Sequence, residues 1–295
     1  MADPTDPNHL GTFIRMKALP PAQLPHHPDL ASLQSGGSPH ELGDFVHAIL
    51  EEGQQFMTGY LPKHFKVKDT HKHSPPSKAT VELLHHQISA HDLPQEGRTQ
   101  GRSESWYARS SIHENAAKHG TASWEEFDAG LRKDHSQHEK DYTPDVEDAH
   151  KVLDWRDELQ RFGHAVGQWT DVEMYLMEMV HNLPFPLQTR VFTVLVLAGK
   201  KGHTEFVDVQ IPVDMSKVPN AKYAKDSKYT PGIYCSIERG ELLEDGAKVK
   251  WQMGTASDAG GNLPMWVQKL GIGGAVVKDV GLFMEWRDKE RKGKA

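Results

Sequence analysis

Residues 205–213 constrain the fold more than any other stretch of the chain. Val207, Val209, Ile211 and Val213 alternate with Phe206, Asp208 and Gln210. Side chains of a strand point to opposite faces with a period of two, so this pattern predicts a half-buried strand of an antiparallel sheet. Further segments of strand character surround it, at 169–181, 190–198, 232–239 and 248–255. Links such as Gly199-Lys200-Lys201-Gly202 and Leu243-Glu244-Asp245-Gly246 are short and turn-like.

The flanks read differently. Residues 1–40 are rich in Pro, His and small polar residues, and are expected to be irregular with one short helix at most. Leu42, Phe45, Val46, Ile49, Leu50 and Phe56 then fall near helical spacing, with Ser38 as a candidate cap. Residues 61–100 are polar; 81–88 reads as a short helix or strand, and 95–101 as a linker. Residues 105–113 suggest a strand. Ser123 with Glu126 forms a capping-box pattern ahead of Trp124, Phe127 and Leu131. A second helix is expected over 145–162, with Pro144 near its first turn. The chain closes on a helical stretch opened by Leu263-Pro264, with Val276, Val280, Phe283 and Arg287 on one face and Gly271, Gly273 and Gly274 bending or interrupting it. This gives three parts: an irregular segment 1–40, a helical and polar extension 41–100, and a main α+β domain 101–291.

Composition narrows the function classes. The 295 residues carry a formal charge of −7 with no long basic stripe, so nucleic acid is not an expected partner. No apolar run approaches the roughly 18 residues of a membrane span. The N-terminus has neither the basic nor the apolar region of a secretory signal. Cys235 is the only cysteine, which forbids an intrachain disulfide and suggests a reducing, cytoplasmic location. Histidines cluster at His71, His73, His85, His86 and His91, and His135 and His138 stand three apart. Nothing supplies further ligands at a metal-site spacing, and phosphate-loop, nucleophile-elbow and dinucleotide fingerprints are missing, so no metal or cofactor is expected.

Two segments carry a resemblance. Val180-His181-Asn182-Leu183-Pro184-Phe185-Pro186-Leu187 followed by Arg190-Val191-Phe192 resembles the strand–loop–strand of START domains, with Val191 in place of the usual Asp. Residues 258–266, ending Leu263-Pro264-Met265-Trp266, resemble the START segment that opens the last helix. The stretches 109–113, 120–124, 210–214 and 255–261 are similar to the fungal DUF3074 family of the START-like superfamily. That resemblance covers about residues 41–290. It implies a helix-grip fold, a curved antiparallel sheet around a long C-terminal helix, with an internal cavity for a hydrophobic small molecule or lipid.

Candidate pocket residues follow from this fold. Trp251 and Met253 alternate on the last strand, Tyr175, Met177 and Met179 on an earlier one, and Val276, Val280 and Phe283 lie on the helix; ordinary core is the first reading of each, because pocket and core share the inward face. Glu178 and Arg190 are polar residues on consecutive strands and could pair in the cavity to orient a ligand head group, or pair on the outer face of the sheet. Glu173, Arg109 and Asp208 are weaker candidates of the same kind. Two functions fit: a carrier or sensor of a hydrophobic ligand, or a pocket enzyme of cyclase, dehydratase or isomerase type acting through Glu178, Glu173, His181 or Tyr175 on a polyketide- or terpenoid-like substrate of secondary metabolism. Converging polar groups in the cavity would favour the enzyme, and one polar end in an apolar cavity the carrier. The Lys-rich stretch 63–72 adds a possible transient membrane contact. Oligomeric state is not readable.

Overall fold

The computed structural model describes residues 11–37, 39–93, 103–183, 188–258, 260 and 265–293, with backbone alone over 265–270. Nine strands form one sheet: β1 Lys66–His73, β2 Thr80–Ile88, β3 Glu104–Glu114, β4 Val146–Asp154, β5 Trp169–His181, β6 Arg190–Lys201, β7 Glu205–Pro212, β8 Thr230–Leu243 and β9 Lys248–Asp258. Their order is β1-β2-β3-β9-β8-β7-β6-β5-β4. Neighbours in this order are antiparallel, and a short parallel pairing joins β6 to β8. The helices are α1 Ala31–Gln34, α2 Leu42–Gln55, α3 Leu61–His64, α4 Trp124–Phe127, α5 His135–Tyr142, α6 Arg156–Gln160 and α7 Met265–Gly293. A π-helical turn Phe56–Tyr60 joins α2 to α3, and another, Asp128–Arg132, follows α4.

Both faces of the sheet are covered. On the convex face, α2 lies on β6 and β7, and Phe45, Val46, Ile49 and Leu50 share one core with Leu195, Leu197, Val207, Val209 and Ile237. Gly53 marks the closest approach, since a Cβ there would meet Val209 Cγ2 at 2.7 Å. Residues 11–30 complete this layer: Leu19 donates to the Pro212 carbonyl at 2.8 Å, and Trp155 Nε1 to that of His26 at 3.1 Å. On the concave face α7 packs against β2, β3 and β9. Val277, Val280, Phe283 and Met284 form a second core there with Phe127, Leu131, Phe206 and Trp251.

Several sequence expectations need correction. Strand β7 is buried on both faces, because the N-terminal layer covers its valines. Strands β1 and β2, from the expected extension 41–100, belong to the main sheet, and β2 pairs with β3 across the expected boundary at residue 100. The helix expected over 145–162 is strand β4 followed by the short α6. Register shifts between Val146 and Asp148 and between Lys151 and Leu153 break its alternation, so its apolar residues imitate helical spacing. Helix α7 runs unbroken through Gly271, Gly273 and Gly274. Glu41, without a side-chain bond, precedes α2; Ser38, Leu263 and Pro264 lie outside the described residues. The capping box at Ser123 and Glu126 is present.

Candidate functional site

Strand register assembles the site. Asp208 of β7 opposes Glu238 of β8, Glu238 opposes Met253 of β9, and Met253 opposes Arg109 of β3. Directly opposed residues of an antiparallel pair share a face. These four therefore form one row across the concave face, which Ala198 and Glu173 extend on β6 and β5. On one side runs the row Ser111, Trp251, Gly240 and Phe206. Gly240 is required there, because a Cβ would stand 2.3 Å from the Phe206 ring. On the other side run Thr255, Ser236, Gln210, Val196 and Tyr175. A belt of charge thus crosses a face that is otherwise aromatic, aliphatic or hydroxylated.

Helices complete the belt. The Arg109 guanidinium lies 3.8 Å from the centre of the Trp251 ring and 3.6 Å from Glu238 Oε1. Trp251 Nε1 donates to the other Glu238 oxygen at 2.8 Å. From α5, His135 reaches down: its Nε2 stands 2.9 Å from the Gln210 amide, 3.7 Å from Glu139 and 4.0 Å from Asp208, while Nδ1 donates to the Leu131 carbonyl. Arg109 and Asp208 are each 1% exposed. Among the described residues, none of the three Arg109 nitrogens and neither Asp208 oxygen has a hydrogen-bond partner. Most buried polar groups are bonded, so such orphans mark a site where something polar is meant to approach.

Burial pushes the Asp208 carboxyl up to about 7 even though His135 pulls it down, and pushes Asp279 of α7 up to about 7 against the pull of Arg109. Burial disfavours a charged His135, but Asp208, Glu238 and Glu139 outweigh it and hold the ring up at about 9. Glu139 is raised by burial, yet its side chain keeps 19% of its surface accessible.

The residues singled out from sequence separate into two groups. Arg109, Trp251, Met253, Val280 and Phe283 meet at the belt or directly beneath α7, and Val276 is buried on the same helix. Tyr175 and Met177 lie on the concave face further along β5 with Val194 and Val196, and the Tyr175 hydroxyl accepts from the Ser136 N–H at 3.4 Å. Glu173 accepts from the Asp134 N–H, and with Tyr175 it lines a cleft of about 740 Å³ beside Asp128, Lys151 and Lys200. Glu178 opposes Thr193 rather than Arg190, which opposes His181 three positions away. Its carboxylate accepts from the backbone N–H groups of Lys222 at 2.9 Å and Ala224 at 2.6 Å on the convex side. The Arg190 guanidinium donates to the Gln188 carbonyl. His181 packs edge-on against Phe192, and burial lowers it to about 4. The paired Glu178–Arg190 head-group site is therefore not assembled: strand phase turns Glu178 away from Tyr175 and Met177.

Glu238, Glu139 and Asp279 carried no functional weight in the sequence. A carboxylate alternating with Phe206 and Gln210 opposite a pure Val/Ile face was a signal for Asp208; nothing local marks His135, whose spacing with His138 suggested only a metal. The two rings diverge, and His138 lies tilted against Trp286 with ring centres 5.0 Å apart.

Comparison with known proteins matches this architecture. Human StAR-related lipid transfer protein 5 superposes with a TM-score of 0.56 at 12% identity, covering 85% of this chain and 100% of that one. Human STARD10 superposes at 0.53, also at 12% identity, covering 82% and 81%. These likenesses establish the fold. No curated protein matches the chain in sequence. No helix among the described residues is long and apolar enough to cross a membrane. The description "Protein of unknown function (DUF3074)" matches residues 106–287, which include every strand from β4 to β9, nearly all of β3 and most of α7, and on that match the chain belongs to the DUF3074 family.

Proposed function

We propose that the concave face beneath α7 holds a hydrophobic small molecule or lipid, and that the protein carries, transfers or senses it. The orphaned, fully buried Arg109 and Asp208, set within an apolar and aromatic face, carry this reading. A buried polar group without a hydrogen bond is costly, and a ligand whose polar group meets the belt while its apolar body fills the grip would relieve that cost. The likeness to lipid-transfer folds supports the same reading. Native mass spectrometry, followed by organic extraction of what co-purifies, tests it. A stoichiometric apolar molecule supports a carrier; a chain that binds none of a panel of sterols, phospholipids and fatty acids contradicts it.

The enzyme alternative draws support from one observation: His135 lies within 4.0 Å of Asp208 and 3.7 Å of Glu139, a convergent acid–base set. It predicts that a bound polyketide-like molecule changes mass or chromophore on incubation, and that His135→Gln stops the change. Delivery would take the carrier to a membrane in the cytoplasm. The exposed edge strand β1, with Lys66, Lys68 and Lys72, is the surface suited to brief contact with anionic lipid. Loss of vesicle co-sedimentation in the triple Lys→Glu variant would support that contact, and unchanged sedimentation would oppose it.

A further inference from the structure

The charge balance of the belt goes beyond the presence of a ligand and bears on its class. Two cationic side chains, Arg109 and His135, face four carboxylates: Asp208, Glu238, Glu139 and Asp279. Arg109 lies over the Trp251 ring and 3.6 Å from Glu238, which balances its charge although its N–H groups make no hydrogen bond to any described residue. His135 is surrounded by Leu131, Gln210 and two carboxylates. With all six ionised, these groups carry two negative charges in excess, an excess that develops as Asp208 and Asp279 lose their protons. Asp208, the most deeply placed carboxylate, accepts no hydrogen bond from any described residue. Aromatic rings crowd the same space: Tyr142 lies against Phe283, and Trp251 packs on both Phe283 and Phe127.

An enclosed face rich in carboxylates and aromatic rings attracts positive charge through both ion pairing and the ring quadrupole. It repels a carboxylate or phosphate monoester lying alone in the same place. We infer that the grip selects an amphiphile bearing a cationic nitrogen, an amine or quaternary ammonium, whose charge sits by Asp208 and Asp279 while its chain lies beneath α7. This rests on the grip being a ligand site. It goes further in naming which chemistry the site prefers.

The same geometry gives a pH signature. Asp208 is faced by His135 and Glu139 from α5, Glu238 from β8 and Glu173 from β5. Asp279 is faced by Arg109 from β3, Glu139 from α5, Glu238 from β8 and Lys278 of its own helix. Both carboxyls hold protons until about pH 7. A cation must displace those protons, so a permanently charged ligand should bind more tightly as pH rises through neutrality.

The test uses the full chain and three probes with one twelve-carbon chain, all below micelle formation: dodecyltrimethylammonium, dodecanol and dodecanoate. Isothermal titration calorimetry measures each at about pH 6 and about pH 8. The ammonium probe should bind about tenfold tighter than the alcohol at the higher pH, with dodecanoate weakest. Its affinity should rise between the two pH values by about tenfold for each carboxyl that must lose a proton. Asp208→Asn and Asp279→Asn should each erase part of the preference for ammonium over dodecanol. If dodecanol or dodecanoate binds as tightly as the ammonium probe, the cation inference falls and the grip remains a ligand site. If none of the three binds, the ligand-site reading falls and the inference goes with it. A preference for ammonium that survives in both Asn variants also overturns the assignment to these two carboxylates.

Discussion

The two faces of the sheet bury charged residues to similar depth but treat them in opposite ways. On the convex side Glu52, Glu104 and Glu178 accept hydrogen bonds, mostly from backbone N–H groups. Glu52 accepts from the N–H groups of Thr12, Phe13 and Ile14, and Glu104 from those of Met16 and the Trp106 indole. Glu178 accepts from Lys222 and Ala224. Arg15 donates to the carbonyls of Gly11 and Ile14. These charges pin irregular segments onto the sheet. On the concave side Asp208 accepts no hydrogen bond and Arg109 makes none to any described residue. A buried charge that the backbone satisfies is a fastener; one left unsatisfied is available for something else. Burial alone would not separate the two roles.

The comparison can be broken most severely at the convex layer. Removing residues 1–65 strips α2 from Leu195, Leu197, Val207, Val209 and Ile237. The truncated chain should lose its cooperative thermal transition and its soluble yield; a folded, ligand-binding remainder would show that the layer is an accessory. Trp251→Ala or Phe283→Ala comes next, at roughly 3–5 kcal/mol of unfolding free energy, because each opens a cavity in the core under α7. Ligand retention should fall with stability there, whereas Leu50→Ala on the convex side should cost roughly 2–5 kcal/mol with ligand retention intact. Glu178→Gln should cost roughly 1–3 kcal/mol in denaturant unfolding and leave ligand affinity unchanged, since it weakens only the two bonds that hold residues 222–224.

The sharpest and smallest effect has the opposite sign. Asp208 has its carboxyl raised to about 7 in the fold, above the ordinary carboxylate value. The unfolded chain therefore ionises first, so Asp208 lowers stability progressively as pH climbs from about 4 to about 7, and by a constant amount above that. Asp208→Asn should stabilise the ligand-free protein by roughly 1–3 kcal/mol at about pH 8, with the gain vanishing below about pH 4. Thermal unfolding across pH measures this. A destabilised Asn variant at neutral pH would mean that Asp208 is a fastener after all.

Much of the fold was legible because strand alternation and the last helix survive in local sequence. The valines of β7 and the segments of β5, β6, β8 and β9 announced the sheet, and the resemblance carried at residues 180–192 and 258–266 pointed to its helix-grip arrangement. What failed was non-local. Strand β1 is exposed along its length, so it has no apolar alternation to display. Strand β4 hides its alternation behind register shifts. The site was half legible for the same reason. Arg109, Trp251, Met253 and Phe283 were named from their own strands and helix, but Glu238 and His135 acquire meaning only through cross-strand register and through α5 docking over β7. The phase that sends Glu178 outward depends on counting along β5 from a bulge between Thr170 and Glu173 that the sequence does not reveal.

The most direct test of the division between a structural convex face and a ligand-holding concave face is native mass spectrometry of the intact chain beside Trp251→Ala and Glu178→Gln, each loaded with the apolar molecule recovered by organic extraction. The account predicts one bound molecule in the parent and in Glu178→Gln, and its loss in Trp251→Ala under conditions where that variant is still folded. A ligand kept by Trp251→Ala and lost by Glu178→Gln would contradict it.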